Sequence, residues 1–278
     1  MSLIDGLLDT MSDMEDASSV ALLMLYGDSG VGKTVLGMQL AQTLSKKKIL
    51  YVDYAQGFTT LSINPKWKPL TKNVTRMQYK GLGQLDALAD ALLQGAEGFT
   101  DFDTLVLDES SSFLDAEVTR NFLAKTTSVK GRDFTDSEES TIYGASGRRF
   151  SSTMSKLHMT GCHVIHLAHK RTDKENSIVV TCPKYSGAPR SKLAQSLHLM
   201  GYVTSEIKSL DGEDRLLRTV QVQPTAAISA KTRIDGLPVK VSFDDLLKAV
   251  SEFSNGERRA VQEKAPEEVE EYGAITIE

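Results

Sequence analysis

Ala21-Leu22-Leu23-Met24-Leu25-Tyr26, followed by Gly27-Asp28-Ser29-Gly30-Val31-Gly32-Lys33-Thr34, is the stretch on which the fold turns. The six apolar residues are unbroken and closed by glycine, which reads as a short strand buried on both faces. The next eight fit G-x-x-x-x-G-K-[ST]. The glycines let the backbone curl until several N–H groups converge on one anion. From Lys33 to Ser45, Val35, Leu36, Leu40, Ala41 and Leu44 fall at helical spacing. A helix therefore opens on the loop and turns its positive end toward that anion. Gly27, Asp28, Ser29, Gly30, Val31, Gly32, Lys33 and Thr34 are predicted to cradle the phosphates of ATP. Lys33 would reach the β and γ groups, and Thr34 would offer its hydroxyl to Mg2+.

Working outward, Ile49–Asp53, Thr104–Asp108 and His163–Ala168 are further apolar runs that read as strands. Gln84–Gln94 places Leu85, Leu88, Ala89, Leu92 and Leu93 on one helical stripe. Strands alternating with helices predict an α/β fold with a mainly parallel twisted sheet. Ile178–Cys182, Leu199–Ile207 and Leu216–Val222 follow with little helix between them and are expected as antiparallel closing strands. Ser242-Phe243-Asp244-Asp245 resembles a capping box opening a last amphipathic helix with Leu246, Leu247, Val250 and Phe253.

The metal of a phosphate loop needs a second oxygen ligand. Leu105-Val106-Leu107-Asp108 delivers a carboxylate at a strand end, expected beside the loop strand, so Asp108 is predicted to hold Mg2+ through water. Glu109 comes next and can take a proton from attacking water. Asp53 ends the second strand and can also face the nucleotide. Gln56, three residues on, can orient water but cannot accept its proton.

The chain has 278 residues with 32 basic and 37 acidic side chains, a formal charge of −5. A globally basic nucleic-acid protein is excluded, whereas a locally basic groove is not. Cys162 and Cys182 cannot make a disulfide framework, so a reducing cytoplasm is expected. The first 19 residues carry no Lys or Arg, so they lack the basic start of a signal peptide. No apolar stretch reaches membrane-spanning length. The expected organisation is a segment 1–19, an ATPase domain 20–255 and an acidic, disordered tail 256–278. From Glu263 onward there are six acids and one Lys, 1 − 6 = −5.

From about Met24 to Phe253 the chain resembles the RecA-like P-loop ATPases, and among them the phage single-strand annealing and recombination proteins of the Sak-four type. The resemblance rests on GDSGVGKT, TLVLDES, Val164–Lys170, Leu197–Val203, and Lys231-Thr232-Arg233 followed by Gly236-Leu237-Pro238. It implies that His169 senses the γ-phosphate. It implies that Lys231 and Arg233 reach a neighbouring subunit's ATP, in a self-assembled ring or filament. It further implies single-stranded DNA as partner, a single-strand-binding protein beside it, and a site of action in the cytoplasm of a phage host. RecA-like proteins usually carry a catalytic Glu just after the second strand, and Asp53-Tyr54-Ala55-Gln56-Gly57 has none. Either Glu109 takes that role, or hydrolysis is slow and ATP acts mainly as a switch. The Asp-Glu pair is more usual in AAA+ proteins, which leaves a helicase or helicase-loader reading open, as well as a nucleotide-gated mediator with little turnover.

Residues 170–192 hold six bases and two acids, 6 − 2 = +4. In RecA-like folds the loop here lines the single-strand path. Lys170, Arg171, Lys174, Lys184, Arg190 and Lys192 are the expected phosphate contacts, with Tyr185 stacking on a base. Lys125–Arg149 is electrostatically mixed and reads as a solvated insertion. His163 and His169 would lie roughly 20 Å apart along a strand at about 3.3 Å per residue, so they do not converge on one ion. Trp67 is expected to cover the core.

Overall fold

The computed structural model describes residues 20–126, 134–175, 178–185, 188–210 and 213–258. The segment 1–19, the acidic tail beyond Arg258, and Lys130, Arg132, Ser186 and Gly187 lie outside the described residues. In chain order the elements are β1 (Leu22–Gly27), α1 (Lys33–Leu44), β2 (Lys48–Asp53), α2 (Gly57–Ile63), a 3-10 turn (Lys68–Thr71), β3 (Val74–Gln78), α3 (Leu82–Leu93), β4 (Phe102–Leu107) and α4 (Ser110–Thr126). Then come α5 (Asp136–His158), β5 (His163–Glu175), β6 (Ile178–Pro183), α6 (Ala188–Ser196), β7 (Leu199–Leu210), β8 (Glu213–Gln221), β9 (Lys231–Thr232), β10 (Lys240–Ser242) and α7 (Phe243–Ser254).

The fold is α/β. The sheet runs β10-β8-β7-β1-β5-β4-β2-β3, and its stretch from β7 to β3 is parallel. Side chains of a strand alternate faces, so β1 serves two cores at once. Leu23 and Leu25 pack with Leu36 and Leu40 of α1 and Val250 and Phe253 of α7. Leu22, Met24 and Tyr26 pack on the other face with Leu85 of α3, Phe113 of α4 and Phe150 of α5. Ser242 caps α7 as expected, accepting the Asp245 N–H at 3.1 Å.

Three expectations are corrected. First, β4 does not lie beside β1, because β5 is inserted between them. Second, β7 is not a purely antiparallel closing strand: Leu199–Val203 runs parallel to Leu23–Gly27. Helix α6 carries the chain back to the start of the sheet before β7, which is the crossover a parallel pair requires. The antiparallel pairs are β7 with β8, β8 with β10 and β7 with β9. Third, the stretch read as a solvated insertion holds the 23-residue helix α5. Thr135 and Glu138 form a reciprocal capping box at its start, and Ile142, Phe150, Met154 and Leu157 bury its inner face. Its Arg149 is not a free surface cation, since it meets the buried Glu117 carboxylate at 2.8 Å, which Arg120 also binds at 3.0 Å.

The topology has one consequence for the site. Strand β1 stops at Gly27, level with His169 on one side and Val203 on the other. Both neighbours continue. Lys170–Glu175 pairs with β6 as one antiparallel ribbon, and Ser205–Leu210 pairs with Glu213–Arg218 of β8 as a second. The glycine loop therefore sits between the roots of two β-ribbons.

Candidate active site

The loop after β1 folds as its glycines demand. Gly30 and Gly32 have φ of +79° and +100°, conformations that other residues adopt at a cost, and Gly32 is the N-cap of α1. Gly27 is required for another reason: a Cβ there would lie 2.5 Å from the Val203 carbonyl oxygen of β7. Lys33 points back into the loop, where its Nζ donates to the carbonyls of Gly27 at 3.1 Å and Asp28 at 2.6 Å. Burial holds its pKa below the ordinary lysine value, against the pull of Asp108, Glu109 and Asp28.

Across a cavity of about 450 Å3 from the loop stand Asp108 and Glu109. Ser29, Gly30, Gly32, Lys33 and Thr34 line one side, and Ala55, Gly57, Trp67, Asp108, Glu109 and His169 line the other. A cleft of similar volume lies between α4, α5 and α6, lined by Leu114, Tyr143, Gly147 and Pro189. Size does not separate the two, but chemistry does, because the first combines a backbone anion nest with paired carboxylates.

The two acids occupy opposite environments. Asp108 is almost fully buried, and desolvation raises its pKa to about 6. The Tyr51 hydroxyl donates to Asp108 Oδ2 and opposes that rise, while Glu109 and Asp53 add to it. A Cβ on Gly57 would lie 2.1 Å from the same oxygen, so only glycine fits against this carboxylate. Glu109 is part-exposed and sits at φ +55°, a strained conformation for a residue with a side chain. Its Oε1 lies 3.0 Å from His169 Nε2. An ionised carboxylate only accepts, so the imidazole nitrogen carries the proton. That hydrogen bond, more than any other influence, holds the Glu109 pKa below its ordinary value. Burial thus raises the pKa of one acid while the hydrogen bond from His169 lowers that of its neighbour.

The remaining sequence candidates distribute as follows. Asp53 does not face the nucleotide. It is fully buried, accepts the Gly57 N–H at 3.0 Å and pairs with Arg76 at 2.7 Å. Gln56 is exposed and stands outside the cavity lining, although its neighbours Ala55 and Gly57 belong to it. Tyr185 cannot stack on a base. Its ring is buried against Phe150, and its hydroxyl lies 2.6 Å from Ser110 Oγ, so it braces the start of α4 beside Glu109. Lys170 meets the loop residue Asp28 at 2.8 Å, and Lys184 meets Asp115 at 3.0 Å. Arg171 and Arg190 both bind Asp173. Lys174 and Lys192 are exposed. Trp67 packs on the α1 face of the core and also lines the cavity.

Lys231 and Arg233 are not among the residues that line the glycine-loop cavity. Lys231 pairs with Met200, which is level with Met24 in the middle of β1, and the Arg233 N–H donates to the carbonyl of His198, whose own N–H meets Leu22 at the start of β1. Both cations bind the last carbonyls of α6: Lys231 those of Ala194 and Gln195 at 3.1 and 3.2 Å, and Arg233 that of Gln195 at 3.1 Å. There they complement the negative end of the helix.

Sequence reading missed Tyr51 and Gly57, and it missed Arg218, which also lines the cavity. A tyrosine in an otherwise aliphatic strand was a signal for the first. Arg218 had none, because its place depends on the register of β8.

A backbone anion nest on a helix N-terminus, a lysine within it and a strand-end Asp-Glu pair across the cleft define a P-loop nucleoside triphosphatase. The AAA domain family matches residues 21–234, and the chain belongs to that family of ATP-binding and ATP-hydrolysing domains. No curated protein sequence matches it. Mg2+ fits the donor set, because the Thr34 hydroxyl and Asp108 carboxylate are the hard oxygen ligands a hard dication takes. No helix among the described residues is long and apolar enough to cross a membrane.

Proposed function

We propose that this protein is a RecA-like ATPase that grips single-stranded DNA under the control of its nucleotide and promotes annealing or strand exchange in phage recombination. One observation carries the reading. Strand β5 runs without a break from the catalytic cleft, where His169 holds Glu109, into the ribbon that bears Lys170, Arg171 and Lys174. A change at the γ-phosphate that moves His169 moves the root of that ribbon.

In this mechanism Glu109 is the general base. It is ionised, part-exposed and one hydrogen bond from His169, so it can take the proton of the attacking water. Lys33 supplies positive charge to the phosphate tail. Bound Mg2+, held by Thr34 and by Asp108 through water, would neutralise charge on the β and γ oxygens. His169 reports whether Glu109 is engaged.

Self-assembly into a ring or filament belongs to this reading. Lys231 and Arg233 stand outside the lining of their own nucleotide cavity, so in this reading a phosphate that they reach belongs to another copy. Reaching it means giving up the Ala194 and Gln195 carbonyls. Arg233→Ala is expected to keep nucleotide binding and lose DNA-stimulated turnover, and a wild-type rate removes the trans-acting role.

The deciding experiment is ATP turnover with and without single-stranded DNA. Stimulation supports the proposal, and slow turnover indifferent to DNA sinks it in favour of a nucleotide-gated mediator. The Asp-Glu pair at the end of β4 favours a second reading, a helicase or helicase loader. Strand displacement of a duplex separates that reading from annealing.

A further inference from the structure

Arg218 lies on β8 opposite Ser205, two residues beyond the point where Val203 of β7 is level with Gly27. It therefore stands at the root of the second ribbon, on the same side of the sheet as Val220, which packs in the α1 core. Its side chain reaches the phosphate loop. A Cβ built on Gly32 would lie 3.2 Å from Arg218 Nε, 3.3 Å from Cδ and 3.7 Å from Cζ. Gly32 is the N-cap of α1, so the guanidinium rests on the residue where the anion nest opens. The same side chain lines the cavity with Ser29, Gly30 and Lys33.

The nitrogen is also left over. Arg218 Nε is buried and has no hydrogen-bond partner among the described residues. A guanidinium keeps its charge at any physiological pH and carries donors in a fixed fork that matches phosphate oxygens. A buried donor without an acceptor is costly, so a fold keeps one where an acceptor arrives from outside. An anion in the nest, next to Gly32, is that acceptor.

We propose that Arg218 is a phosphate-binding residue of the nucleotide site, acting in cis, and that it couples nucleotide occupancy to the β7–β8 ribbon. The proposal rests on the nucleotide reading of the P-loop and adds to it a ligand drawn from a different element. Phosphate bound to the loop, to α1 and to Arg218 at once ties the second ribbon to the nest. Coupling of this kind is reciprocal, so whatever restrains the ribbon tightens nucleotide binding by the same factor.

Arg218→Met keeps the long apolar stem against Gly32 and removes the charge, while Arg218→Lys keeps the charge and removes the fork. Calorimetry on the full chain with Mg2+ and a slowly hydrolysed ATP analogue, or ADP, should show R218M binding the analogue about tenfold to a hundredfold more weakly than wild type. R218K should lie between them. Hydrogen exchange should show nucleotide-dependent protection of 199–221 in wild type that R218M loses, while 163–183 keeps its own. If Arg218 only props the loop, R218M and R218K bind as wild type does, and the proposal is overturned. Wild-type affinity in either folded variant has the same consequence. If wild-type protein binds neither nucleotide, the P-loop reading itself fails and takes this inference with it. Lys33→Ala, silent with both nucleotides while wild type binds, shows that the heat comes from this site.

Discussion

The two ribbons that flank β1 are rooted at equal heights on the sheet, yet they meet the glycine loop through different chemistry. The β5–β6 ribbon is joined to the site by the hydrogen bond between His169 and Glu109 and by the Lys170–Asp28 ion pair at 2.8 Å. The β7–β8 ribbon is joined by contact between a permanently charged guanidinium and Gly32. In the proposed mechanism the first link includes the group that takes a proton during hydrolysis, so it would respond to chemistry at the γ-phosphate. The second touches the loop proposed to hold the phosphates, so it would respond to occupancy. A single P-loop between two such strands can report binding to one ribbon and turnover to the other.

Breaking the shared element should have the largest effect. Lys33→Ala is expected to reduce nucleotide affinity by at least about a hundredfold and to silence both ribbons, as read by calorimetry and by hydrogen exchange. Next comes the first link alone. Glu109→Gln removes the proton acceptor but keeps the shape, so single-turnover hydrolysis should fall about 10²–10⁴-fold with binding retained. Gln56→Ala, outside the cavity lining, should leave that rate unchanged. His169→Ala should leave analogue binding near wild type and cut DNA stimulation of turnover by about tenfold, since it severs the strand-borne link without touching the nest.

Acid sharpens the contrast. His166 of β5 is fully buried and 2.9 Å from His158 of α5, whose other ring nitrogen lies 3.0 Å from Ser196 Oγ. Burial pushes both imidazoles below their ordinary pKa, His158 to about 4. The unfolded chain therefore takes up protons at pH values where the folded one does not. Stability contributed by the neutral pair is complete above pH about 6.5 and declines as pH falls toward 4, by on the order of 1–3 kcal/mol. Thermal melts from pH 7 to pH 4.5 measure the loss, and His158→Gln should flatten the slope. Amides of β5 should lose protection before those of β8.

The smallest expected change is at Asp173, which holds Arg171 and Arg190. Asp173→Asn removes the ion pair that Asp173 makes with both guanidinium groups and takes one negative charge from the first ribbon. Single-stranded DNA affinity at low salt should rise a few-fold, with a steeper salt dependence, and ATP affinity should not change. An unchanged salt slope would place the DNA elsewhere, and the second ribbon becomes the better candidate.

The contrast between ribbons also marks where sequence reading stopped. Residues 163–168 read as a strand because Val164, Ile165, Leu167 and Ala168 make the segment mostly apolar. The continuation through Lys170–Glu175 is polar, with Lys170, Arg171 and Asp173 half-buried and Thr172 and Lys174 exposed, and its sequence pattern reads as loop. A polar ribbon has no apolar period of its own, because it is stabilised by pairing with a partner rather than by burying a face. Helix α5 has a capping box, Thr135-x-x-Glu138, at its start, but its long polar face masks the apolar residues spaced along the other.

The glycine loop and the Asp108-Glu109 pair were fixed by the chain alone, because each is contiguous. Eight residues suffice to fold an anion nest, and a strand end necessarily presents its last carboxylate at the rim of a parallel sheet. Which partners those groups meet was decided only by the assembled sheet. Tyr185, expected to stack on a base, lies in the core, and Asp53 turned to Arg76. Lys231 and Arg233 went to the end of a helix, and Arg218 arrived over Gly32 from 186 residues further along the chain. Those outcomes depend on strand order and register, which join residues distant in sequence.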